Sequence, residues 1–299
     1  MFTLAHLSDW HATTLEGAKT GDLATKRFWG WQSWMRGRRR RHRPEVLASL
    51  HEDVRQQAPD HVVVTGDLTN VALEQEFEEA AATLRELGDP RWVTVVPGNH
   101  DAYVSVDPER GWDRWAAYLL PDGGAGPRAP TRADYPIVRV RERVAIVGLC
   151  SAEPTPLFMA SGSLGSGQLG RLEQTLEALG SQGLTRVVAL HHPPNAEEIG
   201  RRRRLADWRA LQGVISRAGA ELMLHGHRHR SWFGAIPGAT GPVPVVGVRS
   251  SSDVGSREDR RAQYHLYRIE PGQPVQVEVR GYDRETGAFA LERSAALGA

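Results

Sequence analysis

Five short groups of polar residues follow apolar runs between Asp9 and His229. They are Asp9-Trp10-His11, Gly66-Asp67, Gly98-Asn99-His100-Asp101, His191-His192 and Gly226-His227-Arg228-His229. Their carboxylate, amide and imidazole donors, with no thiolate among them, suit manganese, iron, zinc or nickel. They suit calcium or magnesium less well, because the sites of those ions are built from oxygen atoms.

Within these groups, two aspartates, one asparagine and four histidines could bind metal. That number of ligands is too large for one tetrahedral ion but suits two ions that share a bridging carboxylate. Two metal ions held about 3.5–4 Å apart form a clamp for in-line displacement at phosphorus. The residue types therefore predict a two-metal phosphoryl-transfer site.

The elements between the groups alternate in a β-α-β-α-β order, which predicts a largely parallel core sheet. Pro44 is predicted to begin a helix, and further helices are centred on Phe77–Leu87 and Leu169–Leu179. Polar groups that follow parallel strands lie at one edge of a sheet, so we expect them to converge. The predicted core strands are Phe2–Leu7, His61–Thr65, Trp92–Val96, Val144–Leu149, Val187–Leu190 and Glu221–Leu224.

After Gly226 the pattern changes to strands separated by glycine and proline, which indicates antiparallel pairing. Gly123–Asp134 is predicted to be a surface loop, and Thr13–Arg43 an insertion over the site. The predicted antiparallel strands are Trp232–Ile236, Val243–Val248, Tyr264–Ile269 and Val275–Tyr282.

The composition is that of a soluble globular protein, with 40% apolar and 24% charged residues among 299. The net charge of +1 argues against a general polyanion binder, although arginines are concentrated in residues 38–41 and 201–204. The single cysteine excludes an intrachain disulfide and a thiolate cluster. No apolar run approaches the roughly 20 residues of a membrane span. A strand beginning at Phe2 argues against a signal peptide, so we expect a cytoplasmic protein.

The ordered set of groups resembles the calcineurin-like metallophosphoesterases, whose pattern is D-x-H, G-D, G-N-H-[DE], H and G-H-x-H. All five blocks occur in order across residues 9–229. The resemblance implies an α/β sandwich of two mixed β-sheets flanked by helices. We expect one such domain over residues 1–299, with a cap insertion at about 13–43.

The resemblance also implies roles for individual residues. Asp9, His11 and His229 would bind the first metal, Asn99, His191 and His227 the second, and Asp67 would bridge them. His100 would face the leaving oxygen as general acid or charge stabiliser, oriented by Asp101. We prefer His191 to His192 as ligand, and expect manganese or iron, with zinc or nickel as alternatives. The remaining histidines are expected to be structural: His6, His42, His51, His61, His225 and His265.

The implied activity is hydrolysis of a phosphodiester or pyrophosphate bond by a water activated between the metals. One candidate substrate is a lipid A precursor of the UDP-diacylglucosamine type, cleaved at the inner membrane face. The alternative is a soluble phosphodiesterase acting on cyclic nucleotides or small molecules. A non-catalytic scaffold is a remote alternative because all seven ligand positions are retained, and nucleic acid is an unlikely partner because no added module is present.

The segment 24–43 bears on this choice because it combines aromatic residues with arginines. Ala24, Phe28, Trp31 and Met35 recur at helical spacing, with Trp34 at the border, and predict an apolar stripe that touches an anionic membrane. The competing interpretation is that these aromatics complete the core. The run 201–204 is similarly either solvated or in contact with an anionic substrate.

Overall fold

A computed structural model describes residues 1–195, 197, 199–255 and 257–298. Its first six strands, all of which except β4 overlap predicted core strands, are β1 (Phe2–Leu7), β2 (His61–Val64), β3 (Val93–Val95), β4 (Ile137–Arg141), β5 (Val144–Gly148) and β6 (Thr185–Ala189). The later strands are β7 (Leu222–His225), β8 (Trp232–Pro237), β9 (Pro242–Gly247), β10 (Gln263–Ile269), β11 (Gln276–Tyr282) and β12 (Phe289–Ala296).

The helices cover the outer faces of the sheets and form the cap. They are α1 (Lys26–Ser33), α2 (Arg39–Arg41), α3 (Pro44–Gln57), α4 (Glu74–Leu87), α5 (Ala116–Leu119), α6 (Gly165–Ser181) and α7 (Trp208–Ala218). A π-helical turn, Trp34–Arg38, joins α1 to α2. None of the helices in the described part of the chain combines the length and apolar character that crossing a bilayer requires.

The described strands form two mixed six-stranded sheets, in the orders β12-β11-β10-β1-β2-β3 and β4-β5-β6-β7-β9-β8. This arrangement confirms the predicted sandwich. The expectation of one largely parallel core sheet was wrong, because the parallel strands are divided between the two sheets. β1, β2 and β3 are parallel in the first, and β5, β6, β7 and β9 in the second, with antiparallel strands added at the edges.

The two sheets share one apolar interior. Leu4 and Val63 of the first sheet pack in the same cluster as Ile146, Val187 and Leu224 of the second. Helices α3 and α4 cover the outer face of the first sheet, and α6 and α7 cover that of the second. The sandwich therefore fixes how the carboxyl ends of both sets of parallel strands face each other.

Two edge strands were not predicted from the sequence. β12 exposes most of its side chains, so its sequence carries no apolar pattern, and backbone pairing with β11 positions it instead. β4 is a short strand that pairs antiparallel with β5. Edge strands of this kind depend on a neighbour more than on their own side chains.

The cap insertion packs differently from the predicted stripe. Trp34 is only 4% exposed, and it packs with Leu15, Val71 and Leu73. Trp31 and Met35 pack against the same cluster. Ala24, Phe28, Trp31 and Met35 therefore do not form one exposed stripe as predicted, because Trp31 and Met35 are partly buried against the core below the cap. The exposed aromatics of the cap are Phe28 and Trp29.

Candidate metal centre and active site

The sequence-predicted ligands lie in the loops that follow parallel strands of both sheets. Asp9 and His11 follow β1, Asp67 follows β2 and Asn99 follows β3, whereas His191 follows β6 and both His227 and His229 follow β7. The structure brings all of them together at one edge of the sandwich. Their convergence depends on the packing of two sheets, which no single apolar run in the sequence specifies.

Asp67 lies at the centre of two ligand groups. Its Oδ2 is 3.5 Å from His11 Nε2 and 3.3 Å from His191 Nε2. In the first group, Asp9, His11, Asp67 and His229 offer ligand atoms within 4.8 Å of one another, and Asp67, His191 and His227 do so in the second. Asn99 joins the second group, with Oδ1 3.1 Å from His191 Nε2. Asp67 is therefore placed to bridge two ions.

Backbone carbonyls fix the orientation of three of the ligand imidazoles. The contacts are His11 Nδ1 to Thr69 O at 2.9 Å, His191 Nδ1 to Thr65 O at 2.7 Å and His227 Nε2 to Arg203 O at 2.8 Å. A carbonyl oxygen only accepts, so the nitrogen facing it carries the hydrogen and the other presents its lone pair to the centre.

The donor atoms at the centre lack protein partners that would satisfy them. The Nε2 of His11 is buried and makes no hydrogen bond with the described residues. His227 Nδ1 and His191 Nε2 are the ring nitrogens that do not contact a backbone carbonyl, and they lie 3.2 Å apart. Buried polar atoms without partners are costly, and converging lone pairs repel unless a cation lies between them. The residues present therefore fit two divalent cations.

The electrostatics of the centre favour cations as well. Burial opposes ionisation of Asp67, but the neighbouring imidazoles of His191 and His100 outweigh it and lower the pKa of its carboxyl well below the usual range. Burial also lowers the pKa of His191, yet the Asp67 carboxylate outweighs it and raises that pKa to about 9. The pocket thus attracts positive charge, which a proton on His191 or a metal ion can supply.

Several ligands occupy an unusual backbone conformation. Asp9, His11, Asp67, His227 and His229 have φ values of 53°, 45°, 57°, 70° and 48°. A positive φ is uncommon in residues other than glycine, and strained residues concentrate at functional sites. The fold thus keeps these side chains in tight turns that stability alone would not select.

Two glycines allow the ligand loops to approach each other closely. A side chain on Gly98 would collide with the backbone and carboxylate of Asp67, and one on Gly226 would collide with Ser8 and Asp9. The G-D, G-N-H and G-H-x-H motifs therefore include their glycines because ligand-bearing loops touch there.

His100 and Asp101 occupy different environments. The Nδ1 of His100 donates to Asn70 O at 2.5 Å, and Arg38 Nη2 lies 3.1 Å from its Nε2. The prediction that Asp101 orients this ring requires correction, because the Asp101 carboxylate accepts hydrogen bonds from backbone N–H groups. They belong to Asp67, Leu68, Thr69 and Gly98, at 2.9–3.0 Å. Asn70 orients the ring, and Asp101 joins two ligand loops.

The state of the His100 ring bears on its predicted role. Burial, reinforced by the charge of Arg38, lowers the pKa of His100 to about 3. The ring is therefore neutral near pH 7, with its hydrogen on Nδ1. A neutral ring in this tautomer has no proton at Nε2 to give to a leaving group. The environment disfavours the general-acid alternative and leaves Arg38 as the positive charge beside the ring.

A cleft of about 1150 Å³ opens above the centre, between the cap and two loops of the sandwich. Lys26 joins the cap to one loop, with Nζ 2.8 Å from Thr155 Oγ1, and the rings of Trp29 and Phe158 are 5.8 Å apart. The lining of the cleft combines two kinds of side chain. The arginines are Arg36, Arg38, Arg41, Arg203, Arg228, Arg230 and Arg260. The apolar residues are Trp29, Leu157, Phe158, Met159, Ala160 and Ile199.

Some residues of the cleft were not predicted as functional. Arg38 was hidden within an arginine run, and Asn70 and Thr69 follow the G-D block without a recognisable pattern. The ring of His192 packs against those of His191 and His227, but its two nitrogens contact Ser151 Oγ and Ala160 O. The other histidines expected to be structural are buried: His6, His42, His51, His61, His225 and His265.

A sandwich of two mixed sheets with this ligand set defines a binuclear metal-dependent phosphohydrolase. The chain belongs to the calcineurin-like phosphoesterases, since the model of that family matches residues 2–231. None of the curated proteins compared with the chain is significantly similar to it in sequence.

Solved structures share the fold. The alignment with a dimetal phosphatase from Danio rerio covers 97% of this chain and 98% of the phosphatase chain, at 14% sequence identity and with a TM-score of 0.64. A purple acid phosphatase from yellow lupin (Lupinus luteus) seeds is 11% identical over 99% of this chain, with a TM-score of 0.61. This chain spans 53% of that phosphatase. At these identities the likeness shows the fold alone.

The ligand groups would hold two divalent cations, which when bound lower the pKa of a water so that hydroxide is available near neutral pH. The chain's own residues organise the reaction around them. Ionised Asp67 links the two groups, and the carbonyls of Thr65 and Thr69 fix the His191 and His11 rings. His100, Arg38 and Asn99 all line the cleft.

Proposed function

We propose that the enzyme hydrolyses a phosphodiester or pyrophosphate bond in a lipid-linked anionic substrate, of the UDP-diacylglucosamine type, at a membrane surface. The observation that supports this proposal is that the cleft at the ligand cluster is lined by both arginines and apolar side chains. A substrate with a phosphate-rich head and acyl chains carries groups that suit both. We propose one catalytic domain over residues 1–299 that carries this cleft.

The arginines that line the cleft have charge available for a substrate. Among the described residues, no carboxylate forms an ion pair with Arg36, Arg41 or Arg228. Arg260 instead contacts the carbonyl of His229 at 3.3 Å, which places it against the G-H-x-H loop. Guanidinium groups recognise phosphate oxygens through paired hydrogen bonds, so these arginines suit more than one phosphate.

Several apolar residues that line the cleft are also exposed at the surface. Trp29 is 47% exposed and Phe158 is 66% exposed, and Phe28 and Leu157 are exposed beside them. A cluster of exposed apolar side chains marks an interaction site. Trp favours the membrane interface, and each basic residue near an anionic leaflet contributes about 1 kcal/mol to binding. The exposed Arg39 follows in the cap.

For the native ions we propose manganese or iron, with zinc or nickel as alternatives. The proposal rests on the mixture of carboxylate, amide and imidazole donors, which these ions accept. Metal analysis of the purified protein, followed by reconstitution with each ion separately, tests it. The expected result is the highest turnover with manganese or iron.

The substrate proposal is tested by comparing two substrates that share one nucleoside diphosphate sugar headgroup, with and without acyl chains. We expect kcat/KM to be at least about tenfold higher for the acylated substrate, because two buried CH₂ groups already supply that free energy. The protein should also sediment with anionic vesicles at low salt. Trp29→Ala with Phe158→Ala should reduce both the ratio of kcat/KM between the two substrates and the sedimentation with vesicles. Leu291→Ala, which changes an exposed apolar residue on β12, serves as the matched control.

Equal kcat/KM for the two substrates, together with wild-type protein that stays in the supernatant, would contradict the lipid proposal. The same panel includes cyclic nucleotides and small diesters. A preference for one of these would identify a soluble phosphodiesterase instead, whose substrates the arginines of the cleft also suit.

A further inference from the structure

We infer that Arg38, in the π-helical turn of the cap, is a further catalytic residue that binds an oxygen of the phosphoryl group under attack. The inference goes beyond the proposed function, because it concerns the phosphoryl group of any substrate and not the lipid part. It assigns to the cap a direct role in the reaction, in addition to covering the cleft.

The position of Arg38 brings a fixed positive charge to the ligand cluster. Its Nη1 and Nη2 lie 3.3 Å and 3.1 Å from the two ring nitrogens of His100, so the guanidinium lies against the ring. Asp67, Asn99 and His100 line the same cleft as Arg38. A phosphoryl group that meets these residues also meets the guanidinium.

The hydrogen-bonding capacity of Arg38 is largely unused by the protein. A guanidinium has five N–H donors, and the contacts it makes with the described residues are the two with His100. His100 Nδ1 already donates its hydrogen to Asn70 O, so only Nε2 can accept from Arg38. The described residues include no carboxylate paired with Arg38. Arg38 is a partly buried cation without an ion-pair partner among the described residues, and a phosphoryl oxygen would supply one.

The backbone of the cap explains why Arg38 differs from its neighbours. The π-helical turn runs from Trp34 to Arg38. Trp34 anchors the beginning of the turn in the core, and the turn ends with Arg38 directed at His100. Arg39 and Arg40, the next residues, are exposed. Inserted π-helical turns of this kind occur frequently at functional sites, because they change which side chains a helix directs inward.

The test compares Arg38→Ala and Arg38→Lys with Arg40→Ala, an exposed arginine two positions away that does not line the cleft. Three quantities are measured for each variant: kcat and KM on bis-p-nitrophenyl phosphate, the inhibition constant of inorganic phosphate, and the metal content. This soluble diester carries no acyl chain, so failure of the lipid proposal does not affect the result.

We expect Arg38→Ala to lower kcat/KM by about 10²–10³-fold, the usual effect of removing a group that stabilises transition-state charge. It should also weaken inhibition by phosphate at least about tenfold, while metal content stays at the wild-type level. Arg38→Lys should recover part of both effects, because lysine keeps the charge but not the paired donors. Arg40→Ala should match the wild type.

Unchanged inhibition by phosphate in Arg38→Ala would overturn the inference, because Arg38 would then only position His100. Loss of metal from both Arg38 variants would overturn it as well, since the cap would then support the ligands and not the substrate. If Arg38→Ala fails to fold, the comparison of Arg38→Lys with the wild type decides, and identical phosphate inhibition counts against the inference.

Discussion

The carboxylate of Asp101 accepts a hydrogen bond of 2.9 Å from the backbone N–H of Asp67. It accepts another of 2.9 Å from the N–H of Gly98, so one side chain joins the loop of the bridging ligand to the loop of Asn99. Burial and the charge of Asp67 raise the pKa of Asp101 to about 7, whereas the backbone N–H donors of Gly98 and Thr69 favour its ionised form. Hydrogen bonds to the ionised carboxylate contribute about 1.5–3 kcal/mol each. Asp101 therefore contributes to the spacing between ligands of the two metal groups.

Asp101→Asn should accordingly weaken metal retention and lower turnover on every substrate. One oxygen of the acceptor is replaced by an NH₂ group, which cannot accept from the N–H donors around it. Metal content after gel filtration and rates on several phenyl and alkyl diesters measure the two effects. A variant with full metal content and a loss confined to poor leaving groups would show that Asp101 acts through His100 after all.

His100→Asn should leave metal content near normal and lower turnover about 10²–10³-fold, as expected for loss of an oriented polar group at the reacting centre. Because the pKa of His100 is lowered to about 3, we expect similar losses for good and poor leaving groups. Rates on p-nitrophenyl and alkyl esters test this. A much larger loss on alkyl esters would restore the general-acid role.

Trp34→Ala should destabilise the protein, because Trp34 packs with Leu15, Val71 and Leu73 under the cap. Removal of a buried tryptophan costs about 3–5 kcal/mol of the free energy of unfolding. Trp29→Ala is the matched surface control, with an expected change within about 0.5 kcal/mol. Equal stability of the two variants in denaturant titrations would show that the cap aromatics do not complete the core.

The ligand set could be predicted from the sequence because Asp9, Asp67 and His227 belong to short motifs with fixed spacing. The apolar strands before them were predictable for the same local reason. The division of those strands between two sheets was not, because it depends on contacts between residues as distant as Leu4 and Leu224.

The packing of the cap also could not be predicted from local sequence patterns. Helical spacing alone placed Trp31 and Met35 on a common exposed stripe, but a hydrophobic patch from elsewhere in the chain buries part of it. The π-helical turn at Trp34–Arg38 also changes which side chains the helix directs inward, and no local sequence pattern predicted this turn. Arg38 could not be distinguished from its arginine neighbours for this reason.

Stability should fall as the pH decreases below about 6.5, because buried His61 stays neutral in the folded chain. Burial lowers the pKa of His61 to about 3, so between about pH 3 and 6.5 the unfolded chain binds more protons and unfolding becomes easier. His61→Gln can retain a contact with Thr94 Oγ1, which lies 2.7 Å from Nε2 of the histidine. Denaturant titrations of chelated protein at pH 4.5–7 should show that the free energy of unfolding depends less steeply on pH in the variant. An unchanged slope would assign the acid sensitivity to other groups.

The measurement that tests the central claim most directly is a metal titration of chelated protein, monitored by hydrolysis of bis-p-nitrophenyl phosphate. The account predicts no activity after chelation and recovery that saturates at two equivalents of Mn²⁺ per chain, since Asp67 belongs to both ligand groups. Asp67→Asn should neither retain both ions nor recover activity. Full activity after exhaustive chelation, or saturation at one equivalent, would contradict the two-metal account.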